Sequence, residues 1–212
     1  MALAVADLIE AARDLHPSFA RERQPVKPIY RFLTGWHRRA VQLVADRNAD
    51  LVLQVHSVSM PLGDFDAGYA SFPDHLLLDH GGKVVQGDIE ERFHIIDYSA
   101  RLGSVPRWSG YFYNGTLFLA GEEAWWTAVD SIEIPYVPMP AAITASSDEL
   151  LLPDDAYSWA VAAIGMHMAR RTQDESVVVQ DYRADERIER NDYLEAAGAR
   201  SQAKVVQTRE VW

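Results

Sequence analysis

Cysteine is missing from all 212 residues. That absence excludes disulfide scaffolds, thiolate metal sites and cysteine nucleophiles at once. Long apolar runs are missing too, since nothing approaches the roughly 20 residues a membrane helix needs. The opening Met1-Ala2-Leu3-Ala4-Val5-Ala6-Asp7 carries no positive flank before its apolar stretch, so no signal peptide is expected. The familiar catalytic signatures are absent as well. There is no Gly-x-Gly-x-x-Gly, no phosphate loop ending in Gly-Lys-Ser/Thr, no His-Glu-x-x-His and no Gly-x-Ser-x-Gly. Positive charge is scarce, with 20 Lys and Arg against 31 Asp and Glu. The imbalance is local. Residues 1–50 hold 8 basic and 6 acidic side chains, residues 51–150 hold 4 and 14, and residues 151–212 hold 8 and 11. Such an acidic middle is a poor nucleic-acid binder, because phosphate contacts need Lys and Arg. It reads as a solvated acidic surface, or as one that repels DNA or attracts a basic partner.

What is present is an ordinary globular composition, 48% apolar and 24% charged, which excludes global disorder. A chain this long can bury about 70% of its unfolded surface and needs no metal or disulfide to fold. Val5, Leu8, Ile9, Ala12 and Leu15 share one helical face, and Pro17 stops that helix. A second helix is predicted from near Pro28 to about Asn48, with Ile29, Leu33, Trp36, Ala40, Leu43 and Val44 apolar. From Leu51 the period shifts toward two. Leu76–Val85 reads as a hairpin turning at Gly81-Gly82, and Phe93–Tyr98 as a strand. Tyr111–Leu119 reads as a hairpin about Asn114-Gly115, whose residues tolerate the positive φ of a type I′ turn. Ile132–Val137 is a last strand, which Pro135 demotes to an edge or bulge. Short spacings predict an antiparallel sheet. After Pro153-Asp154-Asp155, the small, apolar stretch 156–171 predicts a helix buried on several sides. A polar helix over about 184–201 and an extended tail complete the chain. The expected fold is therefore α+β. It is a helical bundle of two N-terminal helices (1–50) and two C-terminal helices (141–201), with an inserted antiparallel β segment (51–140) and a tail (202–212).

Chemistry-bearing residues are dispersed. Of the seven histidines, His75 and His80 are closest, five apart, which places them on opposite strand faces. His167 on the apolar helix reads as a core or interface residue. The acidic pairs Asp64/Asp66, Glu90/Glu91, Glu122/Glu123 and Asp154/Asp155 could in principle serve glycoside hydrolysis, but they read first as solvated surface or helix caps. Trp108, Trp125 and Trp126, with Tyr111, Phe112 and Tyr113, suit core packing or subunit contacts before a sugar platform. Arg170-Arg171 complements a helix C-terminus. No catalytic, metal or cofactor residue is expected, and no cofactor.

The order of features resembles the head-to-tail adaptors of tailed bacteriophages. The similarity runs through Val5–Ile9, Ile29–Leu33 and Val41–Val44, then Leu117–Gly121 and Ile132–Pro140. It is strongest at Leu150-Leu151-Leu152-Pro153-Asp154-Asp155-Ala156-Tyr157, which opens the alanine-rich helix. The resemblance implies a non-enzymatic virion protein of the neck, assembled in the host cytoplasm. It implies a homo-oligomeric ring, usually of twelve copies, between the portal protein and the tail or nozzle proteins, with DNA passing non-specifically and no membrane involved. It further implies ring packing through Trp36, Tyr157, Trp159, Met166 and His167, and portal docking through Lys204, Val205, Val206, Val211 and Trp212. Other readings stay open: a tail terminator or completion protein, a carbohydrate-active enzyme or binding module, or a generic α+β interaction module.

Overall fold

The computed structural model describes residues 3–60, 69–78 and 81–209. The chain forms two compact units, one from residues 1–52 with 140–212 and one from residues 53–139.

The first unit is mainly helical. Strand β1 (Leu3–Ala4) pairs antiparallel with β10 (Glu149–Leu150). Helix α1 (Val5–Asp14) follows directly. Its first free amides are satisfied by main chain, since Val5 N–H donates to Asp148 O at 3.0 Å and Ala6 N–H to Ser146 O at 3.1 Å. Val5, Leu8, Ile9 and Ala12 form its buried face. Helix α2 (Val26–Asn48) begins behind Pro25 and carries Pro28 in its first turn, where a missing amide costs nothing. It buries Ile29, Leu33, His37, Ala40, Val41 and Val44. Helix α4 (Tyr157–Ala169) packs on α1, α2 and α5 (Val179–Arg209). Trp159 sits at its centre, edge-on to Trp36 at 5.2 Å and stacked on Tyr193 at 5.7 Å. Its Nε1–H donates to Glu186 at 3.1 Å.

Among its described residues the second unit holds eight strands and the short helix α3 (Glu123–Trp126). The strands are β2 (Gln54–Ser59), β3 (Tyr69–Ser71), β4 (His75–Leu78), β5 (Gly81–Gln86), β6 (Ile89–Ile95), β7 (Ser109–Tyr113), β8 (Thr116–Ala120) and β9 (Ser131–Pro138). Their order is β2-β9-β5-β6-β7-β8-β3, and β4 also pairs with β9. Because β3 runs into β4 within four residues, the path leaves β9 through β5 and returns to it through β4. The sheet is thus nearly closed on itself, like a small barrel. Phe93, Leu117, Ile132 and Ile134 fill it, with Trp108, Trp126 and Val84 around them.

This architecture corrects the expected bundle with an inserted antiparallel segment. Among the described residues the structure is α+β, with five helices and a large mixed sheet of eight strands. One pair is parallel, β6 with β7, at His94↔Ser109 and Ile95↔Gly110. The connection over residues 96–108 contains only a 3₁₀ turn (Tyr98–Leu102), yet its length meets the dozen or so residues that a parallel crossover needs. The expected hairpin at Gly81-Gly82 is also corrected. β4 and β5 succeed each other along one edge of β9, at Tyr136–Pro138 and Ser131–Glu133 respectively. Pro135 lies where that edge passes from one to the other, so its missing amide breaks no ladder bond there, and β9 is central with β2 on its other edge. The Asn114-Gly115 turn forms as its residues require, with φ of 50° and 74° between β7 and β8. The segment read as an extended tail continues α5 in helical form to Arg209.

Candidate functional site

The helical unit carries an open groove of about 550 Å³. Its floor comes from α4, where Val161 and Ala162 are half-buried, with Tyr182 of α5 beside them. Leu15, Tyr157 and Val178 stand at its margins, 46%, 40% and 51% exposed. Asp181, Asp185 and Glu189 form the α5 rim. The groove follows from α4's composition. A helix with apolar side chains nearly all round needs cover on every side, and here one side is left to solvent.

The five residues expected to pack a ring divide in this setting. Tyr157 lines the groove. Trp159 is buried in the unit's own core, with the half-buried Trp36 against it. His167 stacks on Phe32 at 4.4 Å and 13°, and Met166 is half-buried. Burial, then the nearby Arg171 and Arg170, hold the His167 pKa below its ordinary value. For the expected docking residues, Lys204, Val205 and Val206 lie on the last turns of α5, their side chains outside the description. Val211 and Trp212 lie outside the described residues.

One cluster has the composition of a catalytic triad without its wiring. Asp174 accepts from Ser176 Oγ at 2.6 Å, from Ser176 N–H at 3.0 Å and from Ser18 Oγ. These bonds hold its carboxyl well below the usual carboxylate range. Ser176 Oγ lies 3.4 Å from His16 Nε2. However, His16 Nδ1 accepts the Ser18 amide at 3.1 Å, so the neutral ring carries its proton on Nε2. That tautomer cannot take a proton from Ser176, and Asp174 does not reach Nδ1 to reverse it. The cluster is a clasp that ties the end of α1 to the loop before α5.

Buried polar atoms elsewhere point inward. His37 Nε2 accepts the Leu151 amide at 2.7 Å, and its Nδ1 has no partner among the described residues. Burial pushes its pKa down to about 4. Tyr193 OH is likewise buried and unpartnered, its pKa pushed up to about 12, chiefly by burial.

Several members of the acidic pairs have structural partners. Glu90 accepts from Lys83 at 2.8 Å, Glu91 accepts the Trp108 indole N–H, and Asp155 pairs with Arg200. Glu122 precedes α3, and Asp64 and Asp66 lie outside the described residues. His75 bonds Pro73 O at 3.0 Å and packs on Phe72 and Phe112, while His80 lies outside the described residues. Among the described residues no group of three or more His, Cys, Asp or Glu could hold a metal ion. Trp108 and Trp126 are core residues, and Trp125 packs partly against that core. Sequence reasoning offered no hint that Trp108 adopts φ 58°, rare for a large side chain. It also missed the outer aromatic row. There Tyr98 stacks on Tyr113 at 4.8 Å under the Arg101 guanidinium, and Tyr111 stacks on Phe118 at 5.4 Å.

Among the described residues no helix is long and apolar enough to cross a membrane. Comparison with known protein families gives no match, and comparison with curated proteins gives none either.

Proposed function

We propose that the protein is a non-enzymatic structural subunit of a tailed-phage virion, a head-to-tail adaptor that assembles as a ring between portal and tail. The observation that carries this reading is the groove beside α4. It leaves Leu15, Tyr157 and Val178 about half exposed around an apolar floor. A contiguous apolar groove with a charged rim is the usual mark of a surface that another chain covers. The adaptor identity comes from the resemblance in the order of features described above. In this reading the acidic stretch 51–150 lets DNA pass without sticking, since like charge repels phosphate. Assembly takes place in the host cytoplasm and the ring ends in the virion neck. Partners are the portal protein, tail or nozzle proteins and further copies of the chain.

The test is a pull-down from the native source, with full-length protein and a truncation ending at Ala197, read by mass spectrometry. Circular dichroism establishes that the truncation stays helical. Recovery of a portal by the full-length chain, lost on truncation, is the expected result. Recovery of tail proteins alone, indifferent to truncation, favours a tail terminator or completion protein and overturns the portal assignment.

A further inference from the structure

Over residues 181–192 the charges on α5 are sorted by side. Asp181, Asp185, Glu189 and Asp192 recur at spacings of four, four and three. At about 100° per residue they fall within an arc of about 80°. Arg183, Arg187 and Arg190 recur at four and three, and their arc is centred about 170° from the first. Between the two arcs lies the packed face, where Tyr193 and Ala197 are buried and Glu186 holds the Trp159 indole. The helix therefore lies on its unit with an acidic flank on one side and a basic flank on the other.

This arrangement is unfavourable within one chain. Like charges at i,i+4 repel, and Asp181/Asp185, Asp185/Glu189 and Arg183/Arg187 are all such pairs. Among the described residues, the α5 ion pairs are Arg190 with Glu186, at 3.9 Å, and Arg200 with Asp155. Arg183, Arg187, Asp181, Asp185 and Glu189 form none. The acidic flank is also the rim of the apolar groove. Each copy thus presents an apolar slot edged in negative charge, and on its other side a positive ridge of matching helical spacing.

We infer that a second copy of this chain docks by its arginine flank, Arg183, Arg187 and Arg190, against the acidic rim Asp181, Asp185 and Glu189 of the groove. The contact is heterologous, one flank meeting the other. It therefore propagates from copy to copy and closes into a ring where the rotation allows. Charge complementarity selects the occupant, because the complement of the rim is carried by the same helix. The apolar slot supplies the burial, and the charges set the register and direction of docking. This inference deepens the ring reading and rests on its self-association, not on its portal.

Two variants test it on the full chain. One reverses the rim, Asp185→Lys with Glu189→Lys. The other reverses the ridge, Arg183→Glu with Arg187→Glu. Circular dichroism and thermal melting verify folding. Assembly is read by light scattering after size exclusion, and by electron microscopy, in about 50 mM salt, where screening is weak. Wild-type protein is expected to assemble, and each variant alone to lose association by more than about tenfold. Equal mixing of the two is expected to restore assembly, because each reversed flank then meets an opposite charge on the other variant. Wild-type assembly with undiminished assembly of both variants overturns this contact and leaves the ring reading standing. So does a mixture no better than either variant. A wild type that stays monomeric overturns the contact together with self-association, while the portal pull-down judges the adaptor reading separately.

Discussion

Lowering the pH from 7 to 4 is expected to weaken the helical unit through one imidazole. His37 is 2% exposed, and its Nε2 accepts the Leu151 amide at 2.7 Å. Protonating Nε2 would turn that acceptor into a donor facing another donor, inside the core. Burial holds the folded-state pKa at about 4, against an ordinary 6.5. The sign follows from proton counts. Between pH 6.5 and 4 the unfolded chain binds a proton that the folded chain refuses, so stability falls as pH falls through this window. At about 1.4 kcal/mol per pH unit, the span is worth about 3 kcal/mol at its acid end. The assay is urea unfolding of wild type and His37→Gln at pH 7, 6, 5 and 4. The glutamine oxygen can still accept the Leu151 amide and does not titrate. Carboxylate titration is common to both proteins and cancels in the difference. Wild type is expected to lose about 3 kcal/mol more than His37→Gln over the full range. Parallel pH profiles would refute the argument.

Four further outcomes are expected. Gly82→Ala places a Cβ 2.3 Å from the Glu133 carbonyl oxygen across the β5–β9 ladder, and should lower stability by about 2–4 kcal/mol in thermal melts. Gly35→Ala, on an open stretch of α2 with nothing within 4 Å, should instead raise it by about 0.5–1 kcal/mol. Phe93→Ala empties a fully buried position in the barrel and should cost about 3–5 kcal/mol in urea titration. Asp174→Ala removes the acceptor of the Ser176 amide, so hydrogen exchange at that amide should accelerate while exchange in the barrel stays unchanged.

Local patterns made several elements legible. The helical period over residues 5–15 and 29–44 corresponds to α1 and α2, and Asn114-Gly115 marks a hairpin whose turn demands its residues. His37 also left a trace, since it falls on the apolar stripe four residues after Leu33. Pairing partners were not legible. The parallel β6–β7 pair depends on where a crossover docks, and the alignment of β4 and β5 along β9 depends on a strand some fifty residues away. The groove was half visible. An α4 apolar on all sides signals burial, but which side goes uncovered is decided by α1 and α5. Trp159 shows the same limit from the other direction. The resemblance implied a ring contact for it, and the structure spends it within the unit, against Trp36 and Tyr193. The two charge stripes of α5 were present in the spacing all along. Without knowing which face is packed, their opposition carries no meaning.

The order in which the two units can be completed during synthesis follows from their connectivity. Residues 53–139 are continuous and hold all the partners of the closed sheet, so that unit can fold once its own stretch has emerged. The helical unit is split across the chain. Leu8 and Ile9 of α1, and Ile29 and Leu33 of α2, are covered only when α4 and α5 arrive, more than a hundred residues later. Until then two amphipathic helices trail from the ribosome with their apolar faces in water. The nascent chain is most vulnerable to aggregation while its barrel is already finished, and a pause in translation after residue 139 would lengthen that exposure.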